Sequence, residues 1–157
     1  MTFAHCDCNE TCLSLHDCTA EQVYFEDGKL GFAFPDGFWV SPEHPESHLS
    51  NIVRTDRAKV EYTWGDGAEY DITIYVYEKN IFKKTIRVEW TLGQLLREIN
   101  SGKCKLEFLY QYVDFHARIV ECELVSSHKP YRRECMMKVS APKVHYFWNH
   151  LREDRPW

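Results

Sequence analysis

The amino-acid sequence predicts an α+β fold that is predominantly β, with antiparallel sheets forming a sandwich or a distorted barrel of about eight strands. Aromatic residues make up 15% of the chain, and Tyr, Phe, Val and Ile favour strands. Two apolar strand patterns meet at Asp27-Gly28, a dipeptide that suits a type I′ turn because both central residues need positive φ. One capped helical pattern begins at Thr91. With 157 residues the chain has the size of one domain, so we expect a single domain over residues 1–157, with residues 1–14 as a Cys-rich lead-in.

Strand patterns follow one another along most of the chain. The first hairpin lies within residues 15–40, where Val23, Phe25, Leu30 and Phe32 fall at alternate positions and form one apolar face. Six further strand patterns follow it, over residues 59–64, 71–76, 85–90, 105–113, 117–125 and 133–139. Turn signals separate the first three of these, so we expect them to form one antiparallel meander with a polar face.

Two helices are predicted. Thr91 can cap the first with Gln94 three residues on, and an apolar stripe at helical spacing follows: Leu92, Leu95, Leu96 and Ile99. Gly102 ends this helix, which therefore lies near residues 91–101. The second helix is predicted near the C-terminus, after the start signal Ser140-Ala141-Pro142, because apolar residues again have helical spacing: Val144, Phe147, Trp148 and Leu151.

Charge and hydropathy restrict the classes of partner. The chain has 19 basic and 24 acidic residues and a formal net charge of -5, which does not support a broad nucleic-acid-binding surface. No run approaches the roughly 20 apolar residues of a membrane helix, and the N-terminus lacks a basic and apolar leader. We therefore expect a cytoplasmic protein with reduced thiols whose partner is neither nucleic acid nor a membrane.

A cluster of thiols and imidazoles stands at the start of the chain: His5, Cys6, Cys8, Cys12, His16 and Cys18. Thiolates and imidazoles are the ligands of tetrahedral zinc sites. Only one residue separates Cys6 from Cys8, whereas zinc knuckles place two to four residues between ligands, and no second pair follows downstream. The simpler interpretation is free thiols and no cofactor. The alternative is a zinc-stabilised structural domain with four ligands: Cys6, Cys8, Cys12 and Cys18.

A Cys-His hydrolase is the catalytic alternative, with Cys18 or Cys122 as the thiolate and one of the eight histidines as the base. The sequence contains no nucleophile elbow, no zinc-protease motif and no phosphate-binding glycine loop. The carboxylates Glu121 and Glu123 share one strand face and are better explained by a solvated strand end. These observations favour a protein without catalytic activity.

The candidate partner-binding residues lie around a long connection, residues 41–57, because connections of this length are uncommon and often functional. They are Asp36, Phe38, Trp39, Glu43, His44, Glu46 and His48. The alternative is that Trp39 closes one end of a sheet core and the histidines are solvated loop residues. Six acids are candidates for meeting a basic surface of a partner: Asp36, Glu43, Glu46, Asp66, Glu69 and Asp71.

Two segments carry a resemblance to a known group of proteins. His16-Asp17-Cys18, the hairpin after it and residues 34–39 (FPDGFW) resemble small bacterial proteins that open with His-Asp and a hairpin. Residues 95–109 (LLREINSGKCKLEFL), a helix running into a strand, are also similar to them. These are largely uncharacterised families, some linked by gene neighbourhood to immunity against secreted polymorphic toxins. The resemblance implies a β-rich immunity-type protein that binds a cognate toxin and has no catalytic residues, so the sequence predicts a non-enzymatic protein-binding domain.

Overall fold

Three antiparallel sheets make up most of the protein, and a computed structural model describes residues 2–65, 71–114 and 117–156. These residues contain fifteen strands and one helix. In chain order the elements are β1 (His5–Asp7), β2 (Leu13–Ser14), β3 (Cys18–Ala20), β4 (Gln22–Glu26), β5 (Lys29–Phe34), β6 (Trp39–Val40), β7 (Val53–Thr55), β8 (Ala58–Thr63), β9 (Ile72–Lys79), β10 (Thr85–Trp90), α1 (Leu92–Asn100), β11 (Cys104–Asp114), β12 (Ala117–Ser126), β13 (Arg132–Val139), β14 (Lys143–Trp148) and β15 (Leu151–Pro156).

The two larger sheets pack face to face. One has the strand order β1-β14-β8-β5-β4 and the other β10-β9-β13-β12-β11-β3, while β15-β7-β6-β2 form a third, smaller sheet. Phe32 and Phe34 of the first sheet each place their ring centroid 5.2 Å from that of Phe108 in the second. The predominantly β prediction is confirmed in its sandwich form, since none of these sheets closes into a barrel within the described residues. The strands are more numerous than expected, because several short strands add to the predicted ones.

The predicted opening hairpin is confirmed as β4 and β5. Asp27 and Gly28 have φ values of 49° and 67°, as the two-residue turn requires. Beyond this hairpin the chain bends at Gly37, whose φ is +75°. A Cβ atom on Gly37 would lie 2.3 Å from the carbonyl oxygens of both Thr55 and Asp56, so the bend is packed directly against neighbouring backbone.

The predicted first helix is confirmed as α1. Thr91 accepts the backbone N–H of Gln94 through its side chain, and the Gln94 side chain accepts the N–H of Thr91, which completes a capping box. At its other end the Asn100 amide accepts from the N–H of Val23 at 2.9 Å and donates to the Val23 carbonyl at 2.7 Å. The helix therefore covers the outer edge of β4, which would otherwise be open. At nine residues it is not long and apolar enough to cross a membrane, and it is the single helix of the described residues.

The predicted C-terminal helix is wrong, because residues 143–156 form β14 and β15. Burial along β14 has a period of two, with Val144, Tyr146 and Trp148 facing the core. The apolar residues of this segment fit both a helical and a strand period. The strand is selected by its position between β1 and β8, where it pairs on both sides.

The lead-in and the strands of the expected meander each belong to more than one sheet. The lead-in contributes strands to two sheets, since β1 pairs with β14 and β2 pairs with β6. The expected meander is broken, because β8 pairs with β5 and β14, whereas β9 pairs with β10 and β13 in the opposite sheet. The chain crosses from one sheet to the other after β8, and the expected turn at Gly65-Asp66-Gly67 lies partly outside the described residues.

Candidate functional site

A cavity of about 570 Å³ opens between the lead-in and the second half of β11. Residues 10–16 line one side and β11 lines the other, with Trp39 and Ile52 completing the wall. The indole N–H of Trp39 donates to the His16 carbonyl at 2.9 Å, and the Arg54 guanidinium lies 4.6 Å from the centre of the Trp39 rings. Because these contacts hold Trp39 on both sides, the cavity has a fixed wall.

A β-bulge decides which side chains of β11 reach the surface beside this cavity. Phe108 is opposite Cys122 and Tyr110 is opposite Glu121, so Leu109 is the extra residue. An unbroken alternation from Leu106 and Phe108 would turn Tyr110 and Tyr112 into the core. The bulge reverses the alternation, and the two tyrosines are instead 56% and 53% exposed.

Tyr110, which lines the cavity, and Tyr112, two residues further along β11, form a pair of exposed rings that is called the tyrosine ridge below. Their ring centroids are 6.5 Å apart, and the His16 ring lies 5.2 Å from Tyr110. The Nδ1 atom of His16 also contacts the carbonyl oxygen of Leu109, the bulged residue. An aromatic surface of this kind, rigid and apolar with polar edges, is typical of binding sites.

The edge of β11 beside the cavity is only partly covered. β3 pairs with Leu106–Phe108, and beyond the bulge residues 110–113 have no strand partner on that side within the described residues. An uncovered strand edge presents backbone N–H and C=O groups that another chain can pair with. The cavity, the ridge and this edge therefore lie together.

A largely buried ion pair forms the polar end of the cavity. Glu10 accepts from the Arg118 Nε atom at 2.8 Å and from a terminal guanidinium nitrogen at 2.6 Å. Gln111 donates to Glu10 at 2.8 Å and accepts from the Tyr62 hydroxyl at 2.8 Å. The hydrogen bonds with Glu10 raise the pKa of Arg118 above its ordinary value. The pair neutralises the charges here and ties the lead-in to β12.

The structure separates the predicted partner-binding residues into different environments. Trp39 lines the cavity, and Glu43 accepts a hydrogen bond from Ser41, which also lines it. Phe38 lies in the core, with its ring centroid 5.3 Å from that of Tyr146 and 5.6 Å from that of Trp148. Phe38 therefore presents no surface to a partner.

His44 is only 2% exposed, so the alternative that placed it in a solvated loop is wrong. Its Nδ1 atom accepts the backbone N–H of Glu46 at 3.1 Å, so Nε2 carries the proton and donates to Asp7 at 2.9 Å. Partial burial raises the pKa of Asp7, but hydrogen bonds from Asn9, Cys8 and His44 together hold it below its ordinary value. His44 thus fastens the lead-in to the loop after β6.

The remaining candidates do not form one surface. Glu46 and His48 line a smaller cavity of about 320 Å³ together with His5. Asp36 is exposed after the end of β5 that pairs with the start of β8. Asp71 belongs to the other large sheet, because it directly precedes β9 and accepts from Ser140, the residue after β13, at 2.8 Å. The candidates Asp66 and Glu69 lie outside the described residues.

The structure does not bring the four candidate zinc ligands together. Cys6 and Cys8 are exposed and Cys12 is half-buried, whereas Cys18 is fully buried on β3. Across residues 2–65, 71–114 and 117–156, no group of three or more His, Cys, Asp or Glu side chains is arranged to hold a metal ion. The zinc hypothesis remains a prediction, which metal analysis of protein purified without a histidine tag would test.

The two cysteines considered for a hydrolase are in environments that favour the neutral thiol. Burial raises the pKa of Cys18 to about 11, and its sulfur lies 3.5 Å from the His16 carbonyl oxygen, to which it can donate. Burial likewise raises the pKa of Cys122 well above its ordinary value, and Cys122 is directly opposite Cys135 in the sheet. Because the thiolate is the nucleophile, neither position favours catalysis at neutral pH.

Alkylation of the native protein is expected to divide the seven cysteines by exposure. Iodoacetamide at neutral pH should modify Cys6 and Cys8 first, because their side chains reach solvent, and the half-buried Cys12 after them. The buried thiols should react only after unfolding: Cys18, Cys104, Cys122 and Cys135. Mass spectrometry of peptides taken over time measures this order. Modification of Cys18 as fast as Cys8 would contradict the burial described here and reopen the thiolate hypothesis.

Sequence reasoning did not identify most of this site. In the sequence, Tyr110 and Tyr112 continue the alternation of Leu106 and Phe108. The pattern therefore predicts that both tyrosines face the core. The position of Arg118 could have been recognised from the sequence, because it alternates with the inward-facing residues Val120 and Cys122 of the same strand. A charged residue at such a position indicates a buried partner, here Glu10.

The fold and the site define a β-sandwich protein with an apolar cavity beside an exposed aromatic ridge. No family model, curated protein or solved structure matches the chain. The resemblance to immunity-type families therefore stays a hypothesis.

Proposed function

We propose that the protein acts by binding another protein, which places an extended segment with apolar side chains against the tyrosine ridge and into the adjoining cavity. The observation that carries this proposal is the bulge at Leu109, which turns Tyr110 and Tyr112 out of the core beside that cavity. Bulges that re-aim side chains are enriched next to functional sites. In the form that the resemblance implies, the partner is a cognate toxin.

The chemistry of the cavity favours an apolar contact over an ionic one. The one carboxylate in its described lining, the half-buried Glu10, is neutralised by Arg118, and the walls include Leu15, Trp39 and Ile52. Among the residues that the structure describes, none of the acids that were candidates for a basic surface lines the cavity. Affinity would therefore come from burial of aromatic and aliphatic groups, with backbone pairing along the open edge of β11 setting the orientation.

The proposal is tested by co-purification with the products of neighbouring genes at micromolar concentration, followed by titration of any retained partner. The double substitution Tyr110→Ser and Tyr112→Ser should weaken binding about tenfold or more, because exposed tyrosines at a protein contact are frequent hot spots. Tyr131→Ser is the matched control, since Tyr131 is also 56% exposed but lies in the turn between β12 and β13.

Three results would count against the proposal. Wild-type protein that retains none of the neighbouring gene products at micromolar concentration removes it. Equal affinities for wild type and the tyrosine double variant would place the contact elsewhere. An equal loss in the Tyr131→Ser control would show that general surface hydrophobicity, and not the tyrosine ridge, is responsible.

A further inference from the structure

The loop between β9 and β10 exposes two adjacent large apolar side chains. Ile81 is 90% exposed and Phe82 is 74% exposed, higher values than for any other large hydrophobic residue that the structure describes. They stand at the end of a hairpin that pairs from Lys79 and Thr85 to Ile74 and Trp90. This position contrasts with the tyrosine ridge, whose rings lie on the face of a sheet.

The loop is ordered by hydrogen bonds of its own. The Asn80 side-chain oxygen accepts the N–H groups of Phe82 and Lys84, each at 3.0 Å. The Asn80 N–H donates to the Lys84 carbonyl at 2.9 Å, and the Lys83 N–H donates to the Asn80 carbonyl at 2.8 Å. These hydrogen bonds within residues 80–84 order the loop. The side chains of Ile81 and Phe82 therefore stay exposed on an ordered backbone without packing on the rest of the protein.

Positive charge surrounds these apolar side chains although the chain as a whole is acidic. Lys79, Lys83 and Lys84 flank them, and Arg87 follows on β10, against a formal net charge of -5 for the protein. The carboxylate next to the loop, Glu78, accepts a hydrogen bond from the Arg133 guanidinium at 3.0 Å, and this ion pair balances its negative charge. We call Lys79, Ile81, Phe82, Lys83 and Lys84 the basic tip.

We propose that the basic tip docks on an anionic lipid membrane surface, with Ile81 and Phe82 entering the interfacial layer and the lysines contacting lipid phosphates. Juxtaposed cationic and apolar side chains are the combination that binds anionic interfaces. A bilayer accepts projecting side chains without a complementary pocket, and this loop projects two side chains from a narrow tip. The expectation that no membrane is a partner rested on the absence of a spanning segment, which docking by a tip does not need.

Sedimentation with lipid vesicles tests this proposal. Wild-type protein should bind vesicles of phosphatidylcholine containing about one third phosphatidylserine, should bind pure phosphatidylcholine far less, and should lose binding as salt rises. The double substitution Ile81→Ser and Phe82→Ser should lower the partition coefficient about tenfold or more, because it removes the apolar groups that enter the interface.

A second variant isolates charge. Lys83→Asn with Lys84→Gln should reduce binding to anionic vesicles and flatten its salt dependence, and Asn suits position 83 because Lys83 has a φ of 59°. Ile119→Ser is the control, since Ile119 is a 40% exposed apolar residue on β12, at the end of the sheet away from the tip, and this variant should bind as wild type does. Unchanged thermal unfolding would show that each variant is folded.

The proposal is overturned if wild-type protein does not bind anionic vesicles. It is also overturned if the double variant with Ile81→Ser and Phe82→Ser binds them as well as wild type does. Capture of an acidic protein through the tip, without vesicle binding, would assign the surface to that protein and also overturn it. This test is independent of the proposed partner binding, because the tyrosine ridge takes no part in it.

Discussion

Substitution of Gly37 by alanine is expected to lower the free energy of unfolding by about 4 kcal/mol, the largest effect of any single change proposed for this protein. Two costs combine at this position. A non-glycine residue at a φ of +75° is strained, and the new Cβ atom would lie 2.3 Å from two backbone carbonyl oxygens. Those oxygens, on Thr55 and Asp56, cannot move without disturbing the end of β7. Urea unfolding followed by tryptophan fluorescence measures the loss.

Gly102→Ala separates these two costs. Gly102 has nearly the same φ, +74°, but a Cβ atom added there would have no neighbouring atom within 4 Å, so only the backbone strain remains. We expect a loss of about 1 kcal/mol for this variant. Equal losses for the two substitutions would mean that the contact of Gly37 with β7 contributes nothing.

Removal of the Glu10 side chain is expected to lower the free energy of unfolding by about 3 kcal/mol. Glu10→Ala leaves the largely buried Arg118 guanidinium without its bidentate carboxylate and leaves Gln111 without its acceptor. Breaking one side of such a pair is unfavourable mainly because the other charge stays buried. The same urea experiment measures this loss.

A double substitution tests that explanation. Glu10→Leu with Arg118→Met replaces both charges by apolar groups of similar volume, and it should recover most of the stability lost in Glu10→Ala. A double variant as unstable as Glu10→Ala would show that the loss comes from packing of the lead-in and not from an unpaired charge.

Local signals predicted the parts of the fold that depend on neighbouring residues. The turn at Asp27-Gly28 and the capping box at Thr91 are both decided by short-range backbone requirements, and both are present. The C-terminal segment was mistaken for a helix because its apolar residues satisfy two periods. Only the pairing of β14 with β1 and β8 selects the strand, and that pairing joins residues far apart in the sequence.

The candidate site was less predictable for the same reason. Trp39 was identified from sequence and does line the cavity. The tyrosine ridge depends on a bulge at Leu109, and a bulge changes the strand alternation without leaving a local signal in this sequence. His44 was expected at the surface, as a partner-binding or a solvated loop residue, because its partner, Asp7, belongs to a segment in which no element was predicted.

The pairing of β1 with β14 has a consequence for the order of folding. Among the described strands, the first and the next-to-last are neighbours, and β14 supplies the edge on which β1 pairs. Until β14 has been synthesised, one edge of β8 has no strand to pair with and β1 has no place in the sheet. A contact of such high sequence separation forms slowly, so during synthesis the edge of β8 that β14 later covers is open to pairing with another chain.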